Sequence, residues 1–192
     1  DRDQGFRDSS GFDQQKLTFK SKNTTKNWQA TTFLNLTNIN QETAGYISSY
    51  KSSLRSTNAN PEAYRDSWSA RAYARLDRKL SNKSNLIFIP YVRSTNMEFL
   101  QHYLPWQPKE KNQHRSIGFR SSIKNRTHKY QWIAGIDWEK TKGSLIEFQE
   151  FPFSQNQPQG KHYDYTVSSN TQAVFGHSTF NLTNSLALDL GA

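Results

Sequence analysis

The chain is 192 residues long, carries a formal net charge of +9, has no cysteine, and is 33% hydrophobic but 14% aromatic. The lack of cysteine excludes disulfides and thiolate metal sites, and the lack of any run of about eighteen apolar residues excludes a transmembrane helix. Twelve Phe, nine Tyr and five Trp are too many for a disordered polar chain, and a mean hydropathy of −0.92 is too low for an ordinary Leu/Ile/Val core.

Taken in chain order, the sequence alternates apolar and polar residues in segments that read as strands. They lie near 14–22, 27–37, 66–78, 85–94, 113–123, 130–140, 171–180 and 184–191. Short turns are predicted near 23–26, 79–84, 124–129 and 181–183, and long connections near 38–65, 95–112 and 141–170. Alternate residues of a strand share a face. In the second segment Trp28, Ala30, Thr32, Leu34 and Leu36 oppose Gln29, Thr31, Phe33 and Asn35. In the third, Trp68, Ala70, Ala72, Ala74 and Leu76 oppose Arg71, Tyr73, Arg75 and Asp77. In the sixth, Tyr130, Trp132, Ala134, Ile136 and Trp138 oppose Gln131, Ile133, Gly135, Asp137 and Glu139. In the last, Leu186, Leu188 and Leu190 oppose Ala187, Asp189 and Gly191. Residues 62–80 also place Trp68, Ala72 and Leu76 at helical spacing among good helix formers; the two-residue alternation decides for a strand. Pro90 removes a ladder donor and predicts an irregularity or a strand end.

Each segment has the length that crosses a bilayer at a tilt, about nine to eleven residues. Short turns on one side and long loops on the other complete the layout of an outer-membrane β-barrel. The predicted fold is all-β: an antiparallel transmembrane β-barrel fragment of about eight strands in successive hairpins, with short periplasmic turns and long extracellular loops. One partial barrel domain covers 1–192, because the pattern starts in mid-loop and stops in mid-strand. Trp28 and Trp132 close to short turns, and Trp68 and Trp138 close to long loops, fit two interfacial aromatic belts, with Trp106 the exception inside a long loop. The alternatives are a passive outer-membrane pore or small structural barrel, and a soluble β-sandwich binding module.

The basic residues are dispersed among turns, with no stripe of interleaved aromatics, so no nucleic-acid partner is expected. His102, His114, His128, His162 and His177 form no metal-ligand spacing, and no metal or cofactor is assigned. No nucleophile, P-loop or dinucleotide motif occurs, and the chain is not read as an enzyme. Five N-x-S/T sequons begin at Asn23, Asn35, Asn82, Asn125 and Asn181; four fall in the short turns, where Asn, Ser and Thr are favoured for turn chemistry alone.

The segments QETAGYI (41–47), NPEAYRD (60–66), MEFLQHYLPWQP (97–108) and GKHYDY (160–165) resemble loop motifs of TonB-dependent outer-membrane receptors. The stretch TQAVFGHSTFNLTNSLALDLGA (171–192) is similar to a hairpin widespread in that family. The resemblance implies an integral protein of the Gram-negative outer membrane, with a barrel of about 22 strands closed by an N-terminal plug. It implies uptake of a scarce nutrient, a ferric siderophore or other iron chelate, energised by the TonB complex through the plug. Neither the plug nor the family's C-terminal strand is in this sequence. The ligand-binding candidates in the long connections are Tyr64, Arg65, His102, Tyr103, Trp106, His162, Tyr163 and Tyr165, whose Arg and Tyr side chains suit an anionic chelate.

Overall fold

A computed structural model describes residues 1–45, 57–183 and 185–192. Among these residues nine strands form one antiparallel sheet in strict chain order. They are β1 (Arg2–Asp3), β2 (Phe12–Thr24), β3 (Trp28–Glu42), β4 (Tyr64–Lys79), β5 (Ser84–Leu100), β6 (Lys109–Arg126), β7 (Tyr130–Gln149), β8 (Gly160–Asn181) and β9 (Ala187–Gly191). The helical spacing of 62–80 has no helical counterpart, because β4 is paired on both sides. The strand beyond the expected eight is β1, which pairs through only two residues.

Among the described residues no element packs over either face. Among the described residues Ala63 and Leu100 are the only buried aliphatic side chains, and both lie at the long-loop end. A β-sandwich needs two layers around a shared core, so the single-layer sheet disposes of that alternative. Large apolar side chains instead stand exposed on one face: Leu17, Phe19, Leu36, Val92, Ile117, Ile136 and Val174, the last at 83% exposure.

The register sorts the sides. Directly opposed residues share a face, and the row Leu34, Ala72, Val92, Ile117 belongs to the apolar one. The row Phe33, Tyr73, Tyr91, Gly118, Glu139 belongs to the polar one. The apolar residues form a band that slants across these rows. Its upper edge runs from Trp68 on β4 to Val174 on β8. The Val174 row traces back through Ile136, Ser121 and Phe88 to Leu76, eight residues beyond Trp68. Its lower edge runs from Trp28 on β3 to Phe180 on β8, four residues past Gly176 in the Trp28 row. With about 3.3 Å per residue and about 4.8 Å per strand, the two edges give slants of roughly 55° and 30°. These bracket the roughly 35–45° tilt of strands in a membrane barrel.

Hydroxyl side chains build the tight turns, sequon threonines in two of them and Ser81, just before the Asn82 sequon, in a third. Thr25 Oγ1 accepts from the Trp28 amide at 3.2 Å, and Thr127 Oγ1 accepts from the Tyr130 amide at 3.1 Å. Ser81 Oγ accepts from the Lys83 and Ser84 amides, each at 3.1 Å. The hydroxyls mimic a backbone turn, as expected of Ser and Thr at these positions. Pro90 leaves β5 intact but interrupts the β4–β5 ladder. Pairing jumps from Tyr73–Tyr91 to Leu76–Phe88, while Pro90 still faces Phe119 on β6.

The strands run far beyond the predicted spans on the long-loop side. β7 has 20 residues and β8 has 22, about twice what a bilayer crossing needs. Tyr64 and Arg65 therefore stand on β4, and His162, Tyr163 and Tyr165 on β8, instead of in loops. His102, Tyr103 and Trp106 do lie in a connection, residues 101–108. Trp68 and Trp138 mark the upper edge of the apolar band from within strands, well below the loops.

Candidate functional site: the polar face and the rim

Across the apolar band, the polar face carries an ordered charge network. Arg93 Nη2 donates to Glu139 Oε1 at 2.6 Å, the Tyr91 hydroxyl donates to Oε2 at 2.6 Å, and the Thr141 hydroxyl donates to Oε1 at 2.8 Å. Arg120 grips Asp137 with Nε and Nη2, both at 2.7 Å. Tyr91 reaches Glu139 by lying across β6, which holds Gly118 at that point of the row. A Cβ on Gly118 would fall 2.6 Å from the Tyr91 ring and 2.6 Å from the Trp138 carbonyl oxygen. Arg71 faces Arg93 directly, and among the described residues it has no ion-pair partner. Lys16, Lys20 and Lys22 add positive charge on the same face of β2, without an ion-pair partner among the described residues.

Above the band both faces are polar. On the inward side Gln101, only 5% exposed, donates to Glu110 at 2.8 Å and to Glu147 at 3.2 Å. His162 Nδ1 lies 3.5 Å from the same Glu147, at the register shift after that residue. Arg65 stacks on Phe99, 5.7 Å from the ring centroid. One row carries Arg65, Phe99, Glu110, Glu147 and Tyr163, so Arg65 and Tyr163 face the same side at the same height, four strands apart.

On the outward side the Tyr64 hydroxyl donates to Glu98 at 2.6 Å, and Lys111 pairs with the same carboxylate at 2.8 Å. Those two bonds, Lys111 first, hold the Glu98 carboxyl below its ordinary range. Burial, then the hydrogen bond to Glu98 and its charge, raises the phenol of Tyr64. Asp66 lies opposite Glu98, and its carboxyl is raised by burial and by that neighbour. A cleft of about 410 Å³ opens beside Tyr64, between the 101–108 and 150–159 connections, walled by Trp106, Lys109, Glu150 and Phe153. Gln149 closes its base by donating to the carbonyls of Trp106 at 2.6 Å and Phe151 at 2.8 Å. Gln107 donates to Glu62 at 2.6 Å; the Glu62 carboxyl is lowered by its own backbone amide first and by Asn60 and Gln107 after it.

The predicted site residues thus divide. Tyr64 and Trp106 share the rim cleft. Arg65, Tyr163 and Tyr165 lie on the inward polar face, Tyr165 in the row of Met97, Asn112 and Leu145. His102 packs edge-on against Tyr103 with centroids 5.9 Å apart, and no contact joins it to His162. Among the described residues no group of three His, Asp or Glu side chains is placed to share a metal ion. Gln101, Glu110 and Glu147 were not singled out from the sequence. For Glu110 and Glu147 the signal would have been the inward positions of β6 and β7, recognisable only once the strands were extended past 113 and 140; Gln101, in the 101–108 connection, had none. Of the QETAGYI motif, Tyr46 and Ile47 lie outside the described residues, as does Asn184 in the last predicted strand.

No protein-family model matches the sequence, and no curated protein is similar to it in sequence. Among solved structures the fold is similar to the ferric citrate transporter FecA in its unliganded form. The TM-score is 0.64 at 11% identity, over 96% of this chain and 36% of that one. The ferric yersiniabactin uptake receptor FyuA from Yersinia pestis aligns with a TM-score of 0.47 at 13% identity, over 93% of this chain and 27% of that one. The chain spans about a third of the length of FecA. At this identity the likeness concerns the fold: consecutive antiparallel strands of a barrel wall.

Proposed function

We propose that this chain forms part of the barrel wall and outer mouth of a TonB-dependent receptor in a Gram-negative outer membrane, and that the receptor imports an iron chelate such as a ferric siderophore. The observation that carries the reading is the single-layer sheet with one apolar face and one charged, hydrogen-bonded face. A soluble protein cannot leave a continuous band from Leu17 to Val174 in water, while a bilayer covers it without a second layer. The short turns are then periplasmic, and the extended ends of β3 to β8 stand outside the cell. Likeness to a ferric citrate transporter and the inward Arg65, Tyr163 and Tyr165 support an anionic iron chelate as cargo. Coupling to TonB would pass through a plug, for which the nine strands hold no counterpart.

Cysteine labels on the full-length protein in bilayers test the wall. Labels at Ala72 and Ile136 are expected to report lipid, and labels at Arg71 and Asp137 to react with a water-soluble thiol reagent. The reverse accessibility would sink the barrel reading. Planar-bilayer recordings separate receptor from pore: a plugged barrel stays closed, and a steady open conductance would favour the passive pore. Deletion of the intact gene is expected to slow growth under iron limitation.

A further inference from the structure

Seven Lys and Arg side chains occupy outward-facing positions on β4 to β8, and four of them have partners. Arg78 lies over Trp28 at 5.2 Å. Lys109 pairs with Glu150, Lys111 with Glu98 and Lys161 with Asp164. The other three, Arg115, Lys140 and Lys142, are exposed and, among the described residues, make no ion pair or side-chain hydrogen bond. They are also clustered. Arg115 is directly opposite Lys142, and Lys140 is opposite Ile117, one row nearer the apolar band. Like charges placed directly opposite in a sheet are destabilising, and the flanking outward residues, Ser94, Gln113, Ser144, Ser168 and Asn170, carry no charge to offset them.

The cluster sits at a chemical boundary. Lys140 already shares its row with Ile117, the upper edge of the band on β6, and the next outward row is Phe119 and Trp138, where Trp138 is the upper edge on β7. There an open groove of about 510 Å³ is lined by the outward residues Phe119, Ile136, Trp138, Gln172 and Val174, with Asp137 and Ala173 between them in the strands. Three cations stand over an apolar groove on the face that meets lipid.

We propose that this is a binding site for an anionic lipid of the outer leaflet. Its headgroup phosphate is held by Arg115, Lys140 and Lys142, and its acyl chain lies along Phe119, Ile136 and Val174. The inference rests on the barrel reading above. A phosphate oxygen set can accept the paired N–H groups of a guanidinium while two ammonium groups supply point charge. Bridged in this way, Arg115 and Lys142 no longer repel. Each cation near an anionic surface contributes roughly fivefold in local lipid affinity, so three together give enrichment on the order of a hundredfold.

The test is fluorescence quenching in nanodiscs. A fluorophore is placed on Ile136→Cys in the full-length protein, and a minority of the lipid is brominated phosphatidylglycerol or, in parallel, brominated phosphatidylcholine. The expected result is quenching by both, much stronger with the anionic lipid. The excess should disappear in the R115Q/K140Q/K142Q variant. It should persist in K16Q/K20Q/K22Q, which removes equal charge from the inward face. Equal quenching by the two lipids overturns the lipid site and leaves the barrel standing. No quenching by either overturns the barrel itself. Loss of the excess on adding inorganic phosphate at the concentration of the anionic lipid would show a free-anion site and overturn the lipid assignment.

Discussion

The half of the sheet next to the short turns and the half next to the long loops have the same backbone and different side chains. In the first, outward residues are mostly Ala, Leu, Phe, Ile, Val and Trp, and inward ones include paired ions such as Arg93–Glu139 and Arg120–Asp137. In the second, both faces are polar, with Tyr64–Glu98–Lys111 outside and Gln101–Glu110–Glu147 inside. Hydrogen-bonded ladders run unbroken from one half to the other along β6 and β7. Strand formation therefore does not depend on the surrounding solvent, whereas side-chain choice does. The first half is a wall whose outside is dictated by lipid. The second is a water-exposed collar, free to carry recognition chemistry on either face.

The largest expected difference between the halves comes from one outward charge. Ala72→Arg, in the middle of the band on β4, should cost roughly 2–4 kcal/mol, as Arg does at a bilayer midplane. Thr166→Arg, outward on β8 in the collar, should change stability by no more than about 0.5 kcal/mol. Urea unfolding of the full-length protein in lipid vesicles reads both. Equal costs would erase the distinction between wall and collar.

Inward glycines sharpen the contrast on the other face. Gly118→Ala forces a Cβ against the Tyr91 ring and the Trp138 carbonyl, so it should cost about 1–3 kcal/mol, as overpacking does. It should also loosen Tyr91 from Glu139. Gly143, in the collar row of Thr95 and His114, has its nearest contact at 3.3 Å, to the Gln113 carbonyl. Gly143→Ala should stay within about 0.5 kcal/mol. The same urea series measures the pair, and a Gly118→Ala protein as stable as the parent would mean that Tyr91 does not need to cross β6.

This contrast explains what the sequence disclosed. The wall was legible because its two faces meet different solvents, so Trp132, Ala134 and Ile136 alternate visibly with Gln131, Gly135 and Asp137. The collar was not legible, because the run from Lys109 to Arg115 and the run from Lys161 to Ser169 are polar at nearly every position. Period two needs a chemical difference between faces, and there the strands have water on both sides. Tyr64, Arg65, His162, Tyr163 and Tyr165 were recognised as candidates but expected in loops for that reason. Glu110 and Glu147 went unnoticed because a carboxylate facing inward cannot be told from one facing outward without a register.

If recognition sits in the collar, binding and stability should separate there. Arg65→Ala removes a guanidinium that makes no ion pair among the described residues and stacks only on Phe99. Uptake of the iron chelate should fall about tenfold, the scale of one charge-assisted hydrogen bond. Stability should fall by less than about 1 kcal/mol, the scale of an exposed cation–π contact. Transport assays with radiolabelled iron in cells expressing the intact gene measure the first. Unchanged uptake would remove Arg65 from the ligand-binding set.

The smallest effect concerns pH, and it comes from two carboxylates of the collar that shift in opposite senses. Glu98 is lowered from 4.5 by Lys111 and Tyr64, so its contribution is fully present above 4.5 and is lost as pH falls through the lowered folded value. Asp66 is raised from 3.8 by burial and by Glu98, so it costs stability at neutral pH. That cost is relieved as pH falls through its raised folded value and is gone below 3.8. Acidification should first relieve the burial cost of the Asp66 charge and its repulsion from Glu98, then dissolve the Glu98 pairs, and the two changes partly cancel. Asp66→Asn removes only the first. The variant should be more stable than the parent at neutral pH by a few tenths of a kcal/mol, about the size of an exposed like-charge pair across two strands. The margin should shrink as pH approaches 3.8, because the parent then loses its own Asp66 charge. Urea midpoints taken at several pH values would show that convergence. A variant less stable than the parent at neutral pH would mean that Asp66 has a stabilising partner and that the repulsion is not the dominant interaction.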